Sequence, residues 1–203
     1  GSSWGKISFP AQMMHSWDLP LTLTVGGKSY GIRTDFRPCL DIMTAFNDAN
    51  LDDAGKYQVM VEILYEESIP EDDIPEAVEQ ALWFLDCGKQ SDNVPRPRVM
   101  DWEQDAPIVF SAINKISGRE VRDPNQYMHW WTFIGYFDEI GEGTFSQVLA
   151  IRQKRAKGEK LEKWEREFLK NNRSMVELKQ SMSDEEKEQW RIEQEAVDAL
   201  FDT

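Results

Sequence analysis

Tyr127-Met128-His129-Trp130-Trp131-Thr132-Phe133, continued by Ile134 and Phe137, is the stretch whose reading decides the fold. Its large apolar residues recur at three- and four-residue steps, the period of a helix with one buried face. A helix carrying so many rings needs other helices around it. Asp123-Pro124 supplies a start signal and Gly141 and Gly143 a stop, so the aromatic helix is expected to open at Asp123-Pro124 and run to about Ile140.

Outward from this stretch, most of the chain reads as helix. Thr34 or Asp35 caps a segment reaching Asn47, with Phe36, Leu40, Met43 and Phe46 near helical spacing. Asp52 or Asp53 opens a second to about Glu67, whose Val59 to Tyr65 run leaves almost no polar face and predicts a central position. Ile69 to Asp73 is a linker. Pro75 sits at the favoured first turn of a third helix that stops at Gly88. Lys89 to Val99 is the clearest loop. Asp101, with Gln104 three residues on, has the form of a helix cap; Pro107 either kinks the helix it begins or marks where its regular part starts. Thr144 or Ser146 opens a helix that runs to Gly158.

The one strand signal is at the N-terminal side. Leu21, Leu23 and Val25 alternate with threonines, Gly26-Gly27 suits a two-residue turn, and Tyr30 and Ile32 return on one face. A lone hairpin is marginal and must rest on something else. The expected architecture is therefore mainly α: a multi-helix domain with an N-terminal β-hairpin, residues 19–157, and a charged C-terminal helical extension, residues 159–202. The extension holds a helix from Glu159 to Asn171 and another opened by Ser183-Asp184-Glu185-Glu186. Val197, Leu200 and Phe201 join Trp190 as its sparse anchors. Residues 1–12 lack the basic start and apolar core of a signal peptide, and read as a leader or tag-derived segment beginning Gly1-Ser2-Ser3.

The 203-residue chain carries a formal net charge of -14, which disfavours nucleic acid and anionic membranes as partners. No apolar run approaches the roughly 20 residues of a membrane span. The charge is uneven. Nine basic residues between Arg152 and Arg173 stand against four acids, so this segment is +5 and the remainder -19. Arg152, Lys154 and Arg155, together with the aromatic residues Trp164, Phe168 and Trp190 of the extension, are the candidate partner-binding residues. Glutamates interleave with these cations at intrahelical pairing distance, which favours a solvated helix or a protein partner over nucleic acid.

Catalytic signals are weak. His129 has no serine or cysteine nucleophile in a recognised turn near it and reads as a helix-contact histidine. Asp101, Glu103 and Asp105 fan around the first turn of a helix and read as cap and dipole complement, not metal ligands. Glu71-Asp72-Asp73 lacks the glycine and closing glutamate of a calcium loop. Gly26-Gly27-Lys28-Ser29 lacks the first glycine and following helix of a phosphate loop. Cys39 and Cys87 with two histidines make no zinc spacing, and suit a reducing compartment. No enzyme activity, cofactor or metal is expected.

The order of several motifs resembles the bacteriophage gene-product-fifteen family, encoded in the tail gene clusters of long-tailed phages and prophages. The residues that carry it are Ile32-Arg33-Thr34-Asp35-Phe36, Phe84-Leu85-Asp86-Cys87-Gly88, Asp101-Trp102-Glu103-Gln104-Asp105-Ala106 and Met128-His129-Trp130-Trp131-Thr132-Phe133. Phe145-Ser146, Ile151-Arg152-Gln153-Lys154 and Lys160-Leu161-Glu162-Lys163-Trp164-Glu165 complete the set. The resemblance spans roughly residues 19 to 180. It implies a tail-morphogenesis protein without established catalytic residues, working in the cytoplasm of the bacterial host. The implied role is a tail assembly chaperone whose partners are the tape-measure protein and tail-tube subunits, with self-association as a further expectation. A structural or adaptor component of the tail and a nucleic-acid-binding phage protein are the alternatives.

Overall fold

The computed structural model describes residues 15, 17–89 and 96–201, and the side chains among them as far as Glu195. The expected leader, the middle of the Lys89–Val99 loop, and the side chains of Val197, Leu200 and Phe201 lie outside the described residues.

Strands β1 (Thr22–Val25) and β2 (Lys28–Gly31) pair antiparallel with Leu23 opposite Tyr30 and Val25 opposite Lys28. Gly26 and Gly27 turn between them at φ of +55° and +75°, the left-handed conformation that a two-residue hairpin demands. Leu23, Val25, Tyr30 and Ile32 are buried, so the hairpin lays one face on the helical body. The Gly26 amide also donates to Glu76 at 2.9 Å, tying the turn to α3 (Ile74–Leu85).

Helix α1 (Phe36–Phe46) starts at Asp35, whose carboxylate accepts the Arg37 amide. Its buried seam is Phe36, Cys39 and Ile42, with Leu40, Met43 and Phe46 packed beside it, a rotation from the seam expected. Helix α2 (Asp53–Leu64) buries Met60, Val61 and Leu64 but exposes Tyr57, Gln58 and Glu62. The sequence expectation of a central helix is corrected: α2 flanks the core, packed between α1 and α3. It also ends before Glu67, because Tyr65 is extended and bridges to Ile32 at the foot of the hairpin. Glu71–Asp73 forms one turn of 3-10 helix leading into α3.

Helix α4 (Ala106–Ser117) takes Pro107 in its first turn, where a missing N–H costs nothing, and stops at Gly118 with φ +72°. Asp101 caps the turn ahead of it by accepting the Gln104 amide at 2.8 Å. Helix α5 (Trp130–Asp138) is shorter than expected. Asp123 to Met128 does not extend it; that segment is held irregular by long-range bonds. Arg37 donates to the Asp123 carbonyl at 2.8 Å, and Asp35 accepts the Met128 amide at 3.1 Å. Phe36 N–H donates to the Met128 carbonyl and Trp130 N–H to the Thr34 carbonyl, forming a short bridge between the two segments.

The core is aromatic. Phe133 stacks on Phe36 with centroids 4.6 Å apart, and Phe110, Trp102 and Trp130 surround it. Such contacts add about 0.5–1.5 kcal/mol each beyond the area they bury. Helix α6 (Thr144–Ala156) packs on α4. Helices α7 (Lys163–Asn171) and α8 (Arg173–Val176) fold back on α6. A second small core of Val148, Ile151 and Val176, with Leu161, Phe168 and Leu169 against it, joins them. The expected start of the extension's first helix at Glu159 moves to Lys163. Helix α9 (Asp184–Phe201) follows. Ser183 and Glu186 cap its start reciprocally, side chain to amide in each direction.

Candidate partner-binding surfaces and the joints that frame them

The six candidate residues divide once they are placed. Arg152 is a correction: it is buried, and no partner can reach it. Its guanidinium donates to both carboxylate oxygens of Asp105, at 2.7 and 2.9 Å. It also donates to the carbonyls of Val99, Met175 and Val176. Asp105 accepts the Asp101 amide as well, so the pair is fully bonded. The expectation that Asp105 serves as cap and dipole complement gives way to this buried ion pair, which fastens α4, α6 and α8 together. Phe168 is partly buried and packs against the second core.

Lys154 reaches Glu165 at 2.8 Å. The Lys154 ammonium, then the Glu162 amide, hold the Glu165 carboxyl below the usual carboxylate range, and Glu165 raises Lys154 in return. Glu165 is the buried face of α7 although it is charged, because both its oxygens are occupied. Arg155 lies 3.9 Å from Glu177, which Arg173 also engages at 3.0 Å. The basic run therefore closes largely on acids of the following turn and helix. Lys154–Glu165 and Arg155–Glu177 join different elements, whereas Arg173–Glu177 is a pair at i,i+4 spacing.

Trp164 and Trp190 stand exposed, at 51% and 57%. Every described side chain of α9 from Asp184 to Glu195 is exposed, including Ile192. The helix is nevertheless anchored at its beginning. Gln104 accepts the Lys179 amide at 2.9 Å and donates to the Glu177 carbonyl at 2.7 Å. Ser181 donates to the Asn47 carbonyl, and the Asp184 amide to Asn50 at 3.0 Å. This strap crosses a polar cleft of about 740 Å3 that also involves Asp41, Arg98 and Glu103. Nothing in local spacing points to the partners of the Gln104 clamp and the strap, which lie more than 70 residues away.

The aromatic motif acts as a joint. His129 caps α5, its Nδ1 accepting the Trp131 amide at 3.0 Å. That leaves Nε2 as the protonated nitrogen, which donates to the Pro20 carbonyl at 2.9 Å. Burial pushes the His129 imidazolium below its ordinary value, more than the bond to Pro20 raises it. The next two residues close a different helix end: Trp130 Nε1 donates to Leu85 O at 3.0 Å and Trp131 Nε1 to Phe84 O at 2.7 Å. Backbone amides of Asp86, Gly88 and Cys87 donate to the Leu82, Trp83 and Phe84 carbonyls at the end of α3, and the two consecutive indoles add a bond to Phe84 and supply one to Leu85. His129 reads, as expected from sequence, as a contact residue.

Among the described residues no cluster of His, Cys, Asp and Glu is arranged to hold a metal ion, and no helix is long and apolar enough to cross a membrane. Fold and surfaces define a mainly α protein with an N-terminal hairpin, whose most distinctive residues are structural joints. The chain belongs to the family described as Bacteriophage Gp15 protein, whose model matches residues 17–178. No curated protein and no solved structure matches it.

Proposed function

We propose that this phage protein works in tail morphogenesis, as an assembly chaperone that holds the tape-measure protein in the host cytoplasm and takes no catalytic part. The observation that carries the reading is α9: a helix anchored at its first turn, exposed on every described side chain, and bearing Trp190 and Ile192 amid acids. Exposed aromatic anchors on a helix are the usual means of gripping another amphipathic helix. Trp164 offers a second apolar contact on α7. The nucleic-acid-binding alternative is weakened, since Arg152, Lys154 and Arg155 engage Asp105, Glu165 and Glu177.

Mass spectrometry of purified virions tests the reading. A chaperone leaves before the particle is finished and is absent. A fixed copy number in the mature tail would instead make this chain a structural or adaptor component.

A further inference from the structure

We propose that the groove between α2 and α3 receives the Trp164 face of α7 from a second copy of this chain. The groove is a cleft of about 750 Å3. Its floor is apolar, with Val61 buried and Ile69, Ile74 and Val78 half-buried. Its rim carries the exposed carboxylates Glu62, Glu66 and Glu71. The two cations nearby are already engaged. Lys28 pairs with Glu67 at 2.8 Å, and Arg33 donates to the Ile63 and Tyr65 carbonyls at the end of α2. An apolar floor inside an acidic rim selects a large hydrophobic side chain flanked by positive charge.

The chain presents such a feature elsewhere on itself. Trp164 is half exposed, with the exposed Lys160 and Lys163 beside it and Lys170 further along α7; Glu159, Glu162 and Glu167 are the exposed acids of the same stretch. Lys154, Arg155 and Arg173 are bonded to Glu165 and Glu177, whereas these lysines point to solvent. Two copies of a chain with net charge -14 repel on average, so association needs a face of opposite sign. The exposed Lys160, Lys163 and Lys170 around Trp164 supply that face.

The two surfaces belong to different parts of the body. Helix α2 packs on α1 and α3, and α7 on α6 and α8. Groove and arm differ in shape and charge, so the contact is head-to-tail: each copy that docks its arm keeps its own groove free. Such an interface extends until it closes into a ring or grows as an open chain.

Light scattering coupled to size exclusion tests this on the full chain and two variants. The groove variant is Glu62→Lys with Glu66→Lys, and the arm variant is Lys163→Glu with Trp164→Ala. All four positions are exposed, and circular dichroism checks that both variants stay helical. The native chain should exceed its 23.6 kDa monomer mass as concentration rises and fall back as salt screens the contact. Each variant alone should stay monomeric. An equal mixture should recover a species of twice the monomer mass, because one variant keeps a working arm and the other a working groove. A native chain that is monomeric throughout, a variant that assembles like the native chain, or a mixture that stays monomeric would each overturn the proposal.

Discussion

Arg152 and Asp105 form a buried, two-point ion pair whose side chains are 4% and 1% exposed. They lie 47 residues apart, on α6 and just ahead of α4. Removing one member of such a pair strands the other without solvent, which costs more than the pair gains on forming. Arg152→Ala should therefore destabilise the protein by about 3–5 kcal/mol in urea denaturation. Because Arg152 also holds the carbonyls of Met175 and Val176, amide exchange in α8 should rise with it. A neutral effect on stability would return Arg152 to the set of surface cations.

His129 gives a pH-dependent signature. Its folded value is lowered by burial, so the folded state binds fewer protons than the unfolded chain. The stability its neutral ring contributes is fully present above about pH 6.5 and is lost as pH falls through the lowered folded value. Protonation would also set an Nδ1–H against the Trp131 amide it now accepts. His129→Asn keeps an acceptor at the cap and removes the titration, so the slope of stability against pH below 6.5 should flatten. His129→Ala should cost about 1–2 kcal/mol at neutral pH through the lost cap.

Gly26 is held at φ +55°, and a Cβ there would come within 2.7 Å of Asp73. Gly26→Ala combines left-handed strain of about 1–2 kcal/mol with that contact. Gly27, at φ +75° but with open space around it, carries the strain alone. Thermal melts should rank Gly26→Ala below Gly27→Ala, and equal melting temperatures would show that Asp73 yields freely.

The two free thiols should differ from ordinary cysteines in the same direction. Burial raises the Cys39 thiol far above its usual value and pushes Cys87 up to about 11. Both should alkylate more slowly than a free cysteine in native buffer, Cys39 slowest, and both should react fully in denaturant. Rapid native labelling of Cys39 would contradict its complete burial.

Much of the body was legible because its signals are local. Asp35, Asp52, Pro75, Gly118 and Ser183 sit where helices begin or end, and Gly26-Gly27 set the hairpin. What escaped was made by distant partners. Asp123-Pro124 has the form of a helix start, yet Arg37 and Asp35, 86 and 93 positions from the residues they bind, hold that segment open. The Val59–Tyr65 run looks central, but Tyr65 leaves the helix to pair with Ile32. Of the candidate residues, Trp164 and Trp190 are exposed. Arg152 is not: a sequence shows the charge of an arginine and not the aspartate it will find 47 positions away.

Co-purification of the tape-measure protein with this chain, with and without α9, bears most directly on the proposed role. The full chain should keep its client soluble and carry it through affinity purification. A chain ending before Asp184 should keep the helical spectrum of the remaining body, one with Trp190→Ala and Ile192→Ala that of the full chain, and both should lose most of the bound client. Equal recovery of tape-measure protein with and without α9, or no recovery with the full chain, would contradict the role assigned to that helix.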